Sequence, residues 1–301
     1  MTRRTAFQLL VAAPLAFGQD AKVAPSAVVP ETTPDPEDYV CPMDPDVRSS
    51  KPGVCPRCGM KLTLGVPEPV EFPVRLEFNP RVVRPGEQVE ITFHITDPKT
   101  GKPVEHFEIV HERLFHMFIV SQDLEYFVHD HPEYGADRMF RYRATFPKPG
   151  MYRILSDFYP SGATPQLIER TVLVPAGAGQ DVPLQPPTLE PALGPAHCAN
   201  MDVELVTDPP QPICGMKTML FFKFKPFDGM EKYLGAWGHM LAASDDLIDI
   251  IHTHPFIADG GAQEQFNVIF PRERMYRVWV QFQRKGVVNT AAFNIPVTEL
   301  R

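Results

Sequence analysis

Three cysteines stand close together at Cys41, Cys55 and Cys58, in a C-x13-C-x2-C spacing. A Cys-Pro-x-Cys-Gly turn aims two thiolates at one ion, because Gly59 relieves backbone crowding and bares amide donors to the sulfurs. With the third cysteine this supplies three soft ligands for a tetrahedral site. A second chemistry lies in the histidines. LFHMFIVSQDLEYFVHDHP (114–132) matches WGHMLAASDDLIDIIHTHP (237–255) at a constant offset of 123 residues. His116, His129 and His131 therefore fall on His239, His252 and His254. Three neutral imidazoles gathered on one face suit Zn(II), Cu(II) or Ni(II). The alternative is that these rings hydrogen-bond to backbone and merely hold the HxHP turn.

The segment YVCPMDPDVRSSKPGVCPRCGMKL resembles the short heavy-metal-binding domain of bacterial copper-efflux adaptor proteins and some metal-transporting ATPases. That family carries C-P-M-H-P followed by C-P-x-C-G-M. The match rests on Cys41-Pro42-Met43, Pro45, Cys55-Pro56, Cys58-Gly59-Met60 and Leu62. It implies a metal held by Cys41, Cys55 and Cys58. Asp44 stands where the family has histidine; a carboxylate completes a zinc site but is a poorer partner for Cu(I), and Met43 or Met60 offers a thioether instead. A disulfide between Cys55 and Cys58, or between Cys41 and Cys58, is the competing reading in an oxidising compartment. The histidine repeat resembles uncharacterised exported β-sandwich proteins with a GH…DL…HxHP pattern, which implies no assigned activity.

The elements that position these residues read as strands. VRLEF, QVEITFHI, RLFHMFIV, LEYFVH, MFRYRATF, MYRILSDF and RTVLV are short runs separated by Pro, Gly and Asp clusters. The same texture resumes with VELV, MLFFKF, HMLAAS, IDIIHTH, FNVIF, YRVWVQF and AAFNIPV. The expected fold is all-β: two tandem immunoglobulin-like antiparallel β-sandwiches preceded by a small Cys-rich metal-binding module. Side chains alternate along a strand, so His116 shares a face with Leu114, Phe118 and Val120, and His129 shares one with Phe127 and His131. A hairpin turning through Ser121–Leu124 sets His116 opposite His129; a slip of two residues sets it opposite His131 and keeps the cluster. His239, His252 and His254 repeat the arrangement around Ser244–Leu247. His106 and His111 lack zinc-helix spacing and are expected in a solvated loop. Cys198 and Cys214 are expected as a disulfide or as two inert thiols.

Boundaries follow from composition. Residues 1–18 have two arginines, an apolar run and small residues before a cut, as in a secretory leader, and the Thr-Arg-Arg start resembles a twin-arginine signal. Residues 19–37 form a linker, 38–66 the metal module, 70–175 the first sandwich, 176–196 a Pro-rich linker and 197–301 the second sandwich. Proline is abundant, 34 of 301 residues, and disfavours helices. The net charge of −8 repels phosphate backbones, which argues against nucleic-acid binding. No phosphate loop, dinucleotide fingerprint or G-x-S-x-G is present. The expectation is therefore a periplasmic or secreted heavy-metal-binding protein, not an enzyme, without membrane insertion after leader cleavage. Its cargo would be copper or zinc for buffering, resistance or delivery, and its partner an exported metal-transport or efflux protein. A structural or partner-binding sandwich with a purely structural metal is the alternative, and a tri-histidine metalloenzyme a third.

Overall fold

Short β-branched and aromatic runs broken by proline leave strands as the only regular element, and no helix occurs among the described residues. The computed structural model describes residues 39–301 except 45–46, 66–69, 178–181, 183–184 and 258. The proposed leader and first linker lie outside the described residues, as does part of the second linker.

The first sandwich has eight strands: Val74–Asn79, Gln88–Ile95, Phe115–Ser121, Phe127–Asp130, Glu133–Tyr134, Phe140–Thr145, Gly150–Phe158 and Gln166–Val174. One sheet holds the first, second, sixth and fifth in spatial order; the other holds the eighth, seventh, third and fourth. That is the immunoglobulin-like arrangement, with the extra edge strand of the variable type. The second sandwich repeats it, pairing Asp202–Asp208, Lys217–Lys225 and Gln263–Ile269 against Val287–Pro296, Met275–Arg284, His239–Ser244 and Ile250–Thr253. Each carries a tyrosine corner. The Tyr152 hydroxyl donates to the Lys148 carbonyl at 2.8 Å, and the Tyr276 hydroxyl accepts from Arg272 N–H at 3.2 Å while donating to Asp249 Oδ2 at 2.7 Å. The Cys module is a three-stranded sheet of Arg48–Ser49, Tyr39–Val40 and Thr63–Leu64.

The central strands carry the functional consequence. Every residue of Phe115–Ser121 and of His239–Ser244 is buried. A strand of one sandwich should be apolar on its inner face only, so burial of both faces requires a cover. Phe115, Met117 and Ile119 enter the first core, and Met240 and Ala242 the second. The opposite faces, with Phe118, Val120, Leu241 and Ala243, join Leu124, Leu155, Leu247 and Trp279 in a third cluster shared by the two repeats. The sandwiches thus pack sheet to sheet. His116 and His239 have the parity of the shared face.

Candidate metal centres

In the Cys module, Gly59 adopts φ +74, the left-handed conformation that turns the chain back after Cys58. Cys55 N–H donates to the Met60 carbonyl and Gly59 N–H to the Cys55 carbonyl, at 2.7 and 2.9 Å. Cys41, Cys55 and Cys58 are buried and all three are free thiols, so neither candidate disulfide forms. The Cys41 and Cys58 sulfurs lie 3.5 Å apart, and Asp44 Oδ2 is 3.3 Å from Cys55 Sγ and 3.7 Å from Cys41 Sγ. Two sulfurs sharing a zinc at about 2.3 Å stand about 3.8 Å apart, so the donor set fits a tetrahedral ion with little adjustment. The hydrogen bond from Cys58 holds the Cys41 thiol down to about 6, whereas burial pushes the Cys55 thiol up. Asp44 is the fourth donor placed here; its Oδ1 also meets Arg57 Nη1 at 3.6 Å.

The histidine hairpins take the second of the two registers, slipped by two residues so that His116 falls toward His131. Phe118, not His116, opposes His129, and Leu241 opposes His252. Each turn is two residues longer because Leu124 and Leu247 take left-handed φ of 59° and 54° and tuck inward, fully buried. Ser121 N–H and Ser244 N–H then close the loops on the Tyr126 and Asp249 carbonyls at 3.0 and 2.9 Å. Imidazoles are long enough to converge diagonally across this register. His116 Nδ1 lies 3.2 Å from both His129 Nε2 and His131 Nε2, and His239 Nδ1 lies 3.1 Å from His254 Nε2. Within each triplet one ligand atom per ring lies inside 4.8 Å of the others.

Outer partners fix the tautomers of four of the six rings. His116 Nε2–H donates to the Val110 carbonyl at 3.0 Å, and His239 Nε2–H to the Tyr233 carbonyl at 2.9 Å. His129 Nδ1–H donates to Gln281 Oε1 at 2.7 Å, and His252 Nδ1–H to Asp157 Oδ2 at 2.5 Å. The inner nitrogens of His116 and His129 are thereby left with lone pairs aimed at one another, whereas His131 and His254 can each donate Nε2–H to His116 Nδ1 and His239 Nδ1, and buried His252 Nε2 has no hydrogen-bond partner. Lone pairs about 3.2 Å apart repel unless a cation lies between them. Nitrogens at about 2.0–2.1 Å from a tetrahedral ion are about 3.3–3.4 Å apart, which matches these separations. Burial, followed by mutual repulsion among the rings, drives His129 down to about 2 and His131 to about 4, so both stay neutral, the ligating form.

Three residues were missed in the sequence. His111, expected in solvent, is buried, and its ring lies 3.8 Å from that of His254 with Nε2 unpartnered. It occupies a two-residue turn, Val110–Arg113, whose central residues His111 and Glu112 both have positive φ. Leu234 takes its place in the second repeat, and that apolar equivalent was the available signal of burial. Asp157 and Gln281 were the others, polar residues in the runs MYRILSDF and YRVWVQF. His106 is exposed, as expected. Cys198 and Cys214 are free thiols packed against the second core.

Sulfur and imidazole sites adjoin. Val110 packs its side chain among Cys41, Cys55 and Cys58, while its carbonyl orients His116. A cleft of about 660 Å³ is lined by Met43, Asp44 and Cys58 on one side and by Asp157, His252 and His254 on the other.

With that geometry in place, comparison with known proteins gives a family. A domain family described as a domain of unknown function (DUF8832) matches residues 71–174 and again 196–299, together more than half of the chain. The chain belongs to it. A heavy metal binding domain matches residues 39–63, the module of Cys41, Cys55 and Cys58. No curated protein matches. Solved structures similar to the chain include the Escherichia coli adhesin FdeC, at 13% identity over 79% of this chain and 68% of that one, with a TM-score of 0.25. Fibronectin(III)-like modules of Clostridium thermocellum CbhA match at 13% identity over 75% of this chain and 95% of theirs, with a TM-score of 0.21.

Proposed function

We propose that this DUF8832 protein is an exported heavy-metal-binding protein that takes up zinc or copper for buffering, resistance or delivery, and is a carrier rather than an enzyme. The observation that carries the reading is the gathering of three free, buried thiols and the Asp44 carboxylate within one ion's reach, in the segment that matches a heavy metal binding domain. The hard carboxylate oxygen beside three sulfurs favours zinc over Cu(I) at that site. The two histidine triplets supply further borderline donors, suited to Zn(II) or Cu(II). Export rests on the leader-like residues 1–18, and the recipient would be an exported transport or efflux component.

Close packing of Val110 and Tyr159 on the cysteines favours a second reading, a structural ion that pins the module to the first sandwich. One experiment separates them. Metal content is measured on the purified chain lacking residues 1–18 and on its C41S/C55S/C58S variant. The carrier reading expects the variant to lose one equivalent, keep the sandwich fold by circular dichroism, and the parent to surrender that ion to a competing chelator without unfolding. Ion loss that unfolds the parent supports the structural role. Absence of bound metal in both proteins, after incubation with zinc and copper, overturns both. Fractionation of cells expressing the full chain tests export, which retention in the cytoplasm would refute.

A further inference from the structure

The sequence places one triplet in each sandwich and leaves their relation open. In the structure the two meet across the shared face. Ring centroids of His129 and His239 lie 5.3 Å apart, those of His116 and His239 5.9 Å, and those of His116 and His252 6.3 Å. With His111, seven imidazoles thus share one compartment roofed by both repeats.

Their support is exchanged between repeats. His129 of the first repeat is oriented by Gln281 of the second, and His252 of the second by Asp157 of the first. Asp157 lies opposite His116 in the strand register and Gln281 opposite His239, so the two are equivalent positions of the duplicated sandwich. Their chemistry differs. A carboxylate bonded to the outer nitrogen makes an imidazole a stronger base and brings a compensating negative charge; an amide only fixes the ring. Losing such an outer partner typically costs 10–100-fold in metal affinity. The second asymmetry points the same way, since the first repeat also places His111 against His254, where its counterpart is Leu234.

We propose that the two triplets form one two-ion centre of unequal halves, in which His239, His252 and His254, backed by Asp157, hold a divalent cation more tightly than His116, His129 and His131, backed by Gln281. The centre rests on the reading of the triplets as metal sites. Asp157 is a positioning residue for the tighter half.

The test uses the chain lacking residues 1–18 with C41S/C55S/C58S, which leaves the two histidine triplets as the donor clusters among the described residues, titrated with Zn(II) against a chelator and then with Cu(II). Two ions per chain are expected, with affinities at least tenfold apart. D157N should weaken the tighter ion 10–100-fold and leave the weaker one in place, while Q281E should strengthen the weaker ion and narrow the gap. Q281E keeps the test open if D157N fails to fold. With two equivalents of Cu(II), paramagnetic resonance should show dipolar broadening and a half-field signal. No bound ion in the parent overturns the reading of the triplets as metal sites. One ion only, two equal ions, or two ions unmoved by either variant overturns this inference and leaves that reading standing. An expected structural role for Asp157 alone would lower stability without separating the two affinities.

Discussion

The sheet-to-sheet contact that builds the histidine compartment can be tested through Trp279. Its indole is nearly fully buried, in the cluster with Phe118, Leu155, Leu241 and Leu247. It stacks on Phe127 of the other repeat, with centroids 4.9 Å apart and planes 9° from parallel. A buried tryptophan removes roughly 200 Å² from water, worth about 5 kcal/mol at about 25 cal/mol per Å². Partial collapse of Phe127 into the gap returns some of that, so W279A should cost about 3–4 kcal/mol. Urea unfolding of the metal-free protein gives the loss. F127A and the double variant complete a cycle whose coupling should be about 0.5–1.5 kcal/mol, the usual worth of an aromatic pair beyond its area. Because the two rings come from different repeats, this coupling exists only if the sandwiches dock as described. Additive single effects with a W279A cost below about 1 kcal/mol, the level of an exposed or half-exposed site, would refute the shared face and the joined compartment with it.

Two further predictions concern the second sandwich. Glu264 is fully buried, accepts from Gly260 N–H at 3.1 Å, has its other oxygen unpartnered, and is pushed by burial from 4.5 up to about 8. The folded state therefore holds a proton that the unfolded state releases, and stability falls as pH rises from about 4.5 to about 8, by at most about 5 kcal/mol. Imidazoles with lowered values act oppositely, costing stability as pH drops below about 6.5, so the measure is the difference between the parent and E264Q in urea unfolding from pH 5 to 8.5. A constant difference across that range would refute the assignment. Gly260 has φ +75, and a Cβ there would overlap the Trp237 ring; G260A should cost about 2–4 kcal/mol from left-handed strain plus overpacking, and a melting temperature within one degree of the parent would refute it.

The Cys trio, the duplication and the all-β class were legible because each is local: spacing, self-similarity and alternation need no knowledge of the partner surface. Membership of each triplet was legible for the same reason, since three rings on one hairpin face stay together under either register. The register itself was not, because it depended on Leu124 and Leu247 turning into a core cluster that only the second sandwich completes. His111 was misread for a related cause. Its charged neighbours Glu108, Glu112 and Arg113 describe a surface turn within one repeat, and burial comes from His254 of the other. Asp157 and Gln281 sit in strands that also carry Arg153, Ser156 and Arg277, so nothing local set them apart; the histidines they support belong to the other repeat.

Duplication explains why the compartment exists at all. Alone, one sandwich would present Phe118, Val120 and Leu155 to water beside three neutral imidazoles, an apolar face that invites association. A second copy of the same face covers it, and the pseudo-symmetric docking necessarily brings the equivalent histidines together. Once joined in one chain, the halves need not stay alike, because a change in one repeat alters the support of the other's ligands. Asp157 against Gln281 and His111 against Leu234 are such changes, and both enrich the second triplet from the first repeat. A symmetric pair of separate chains could not make that distinction, since every substitution would appear on both sides.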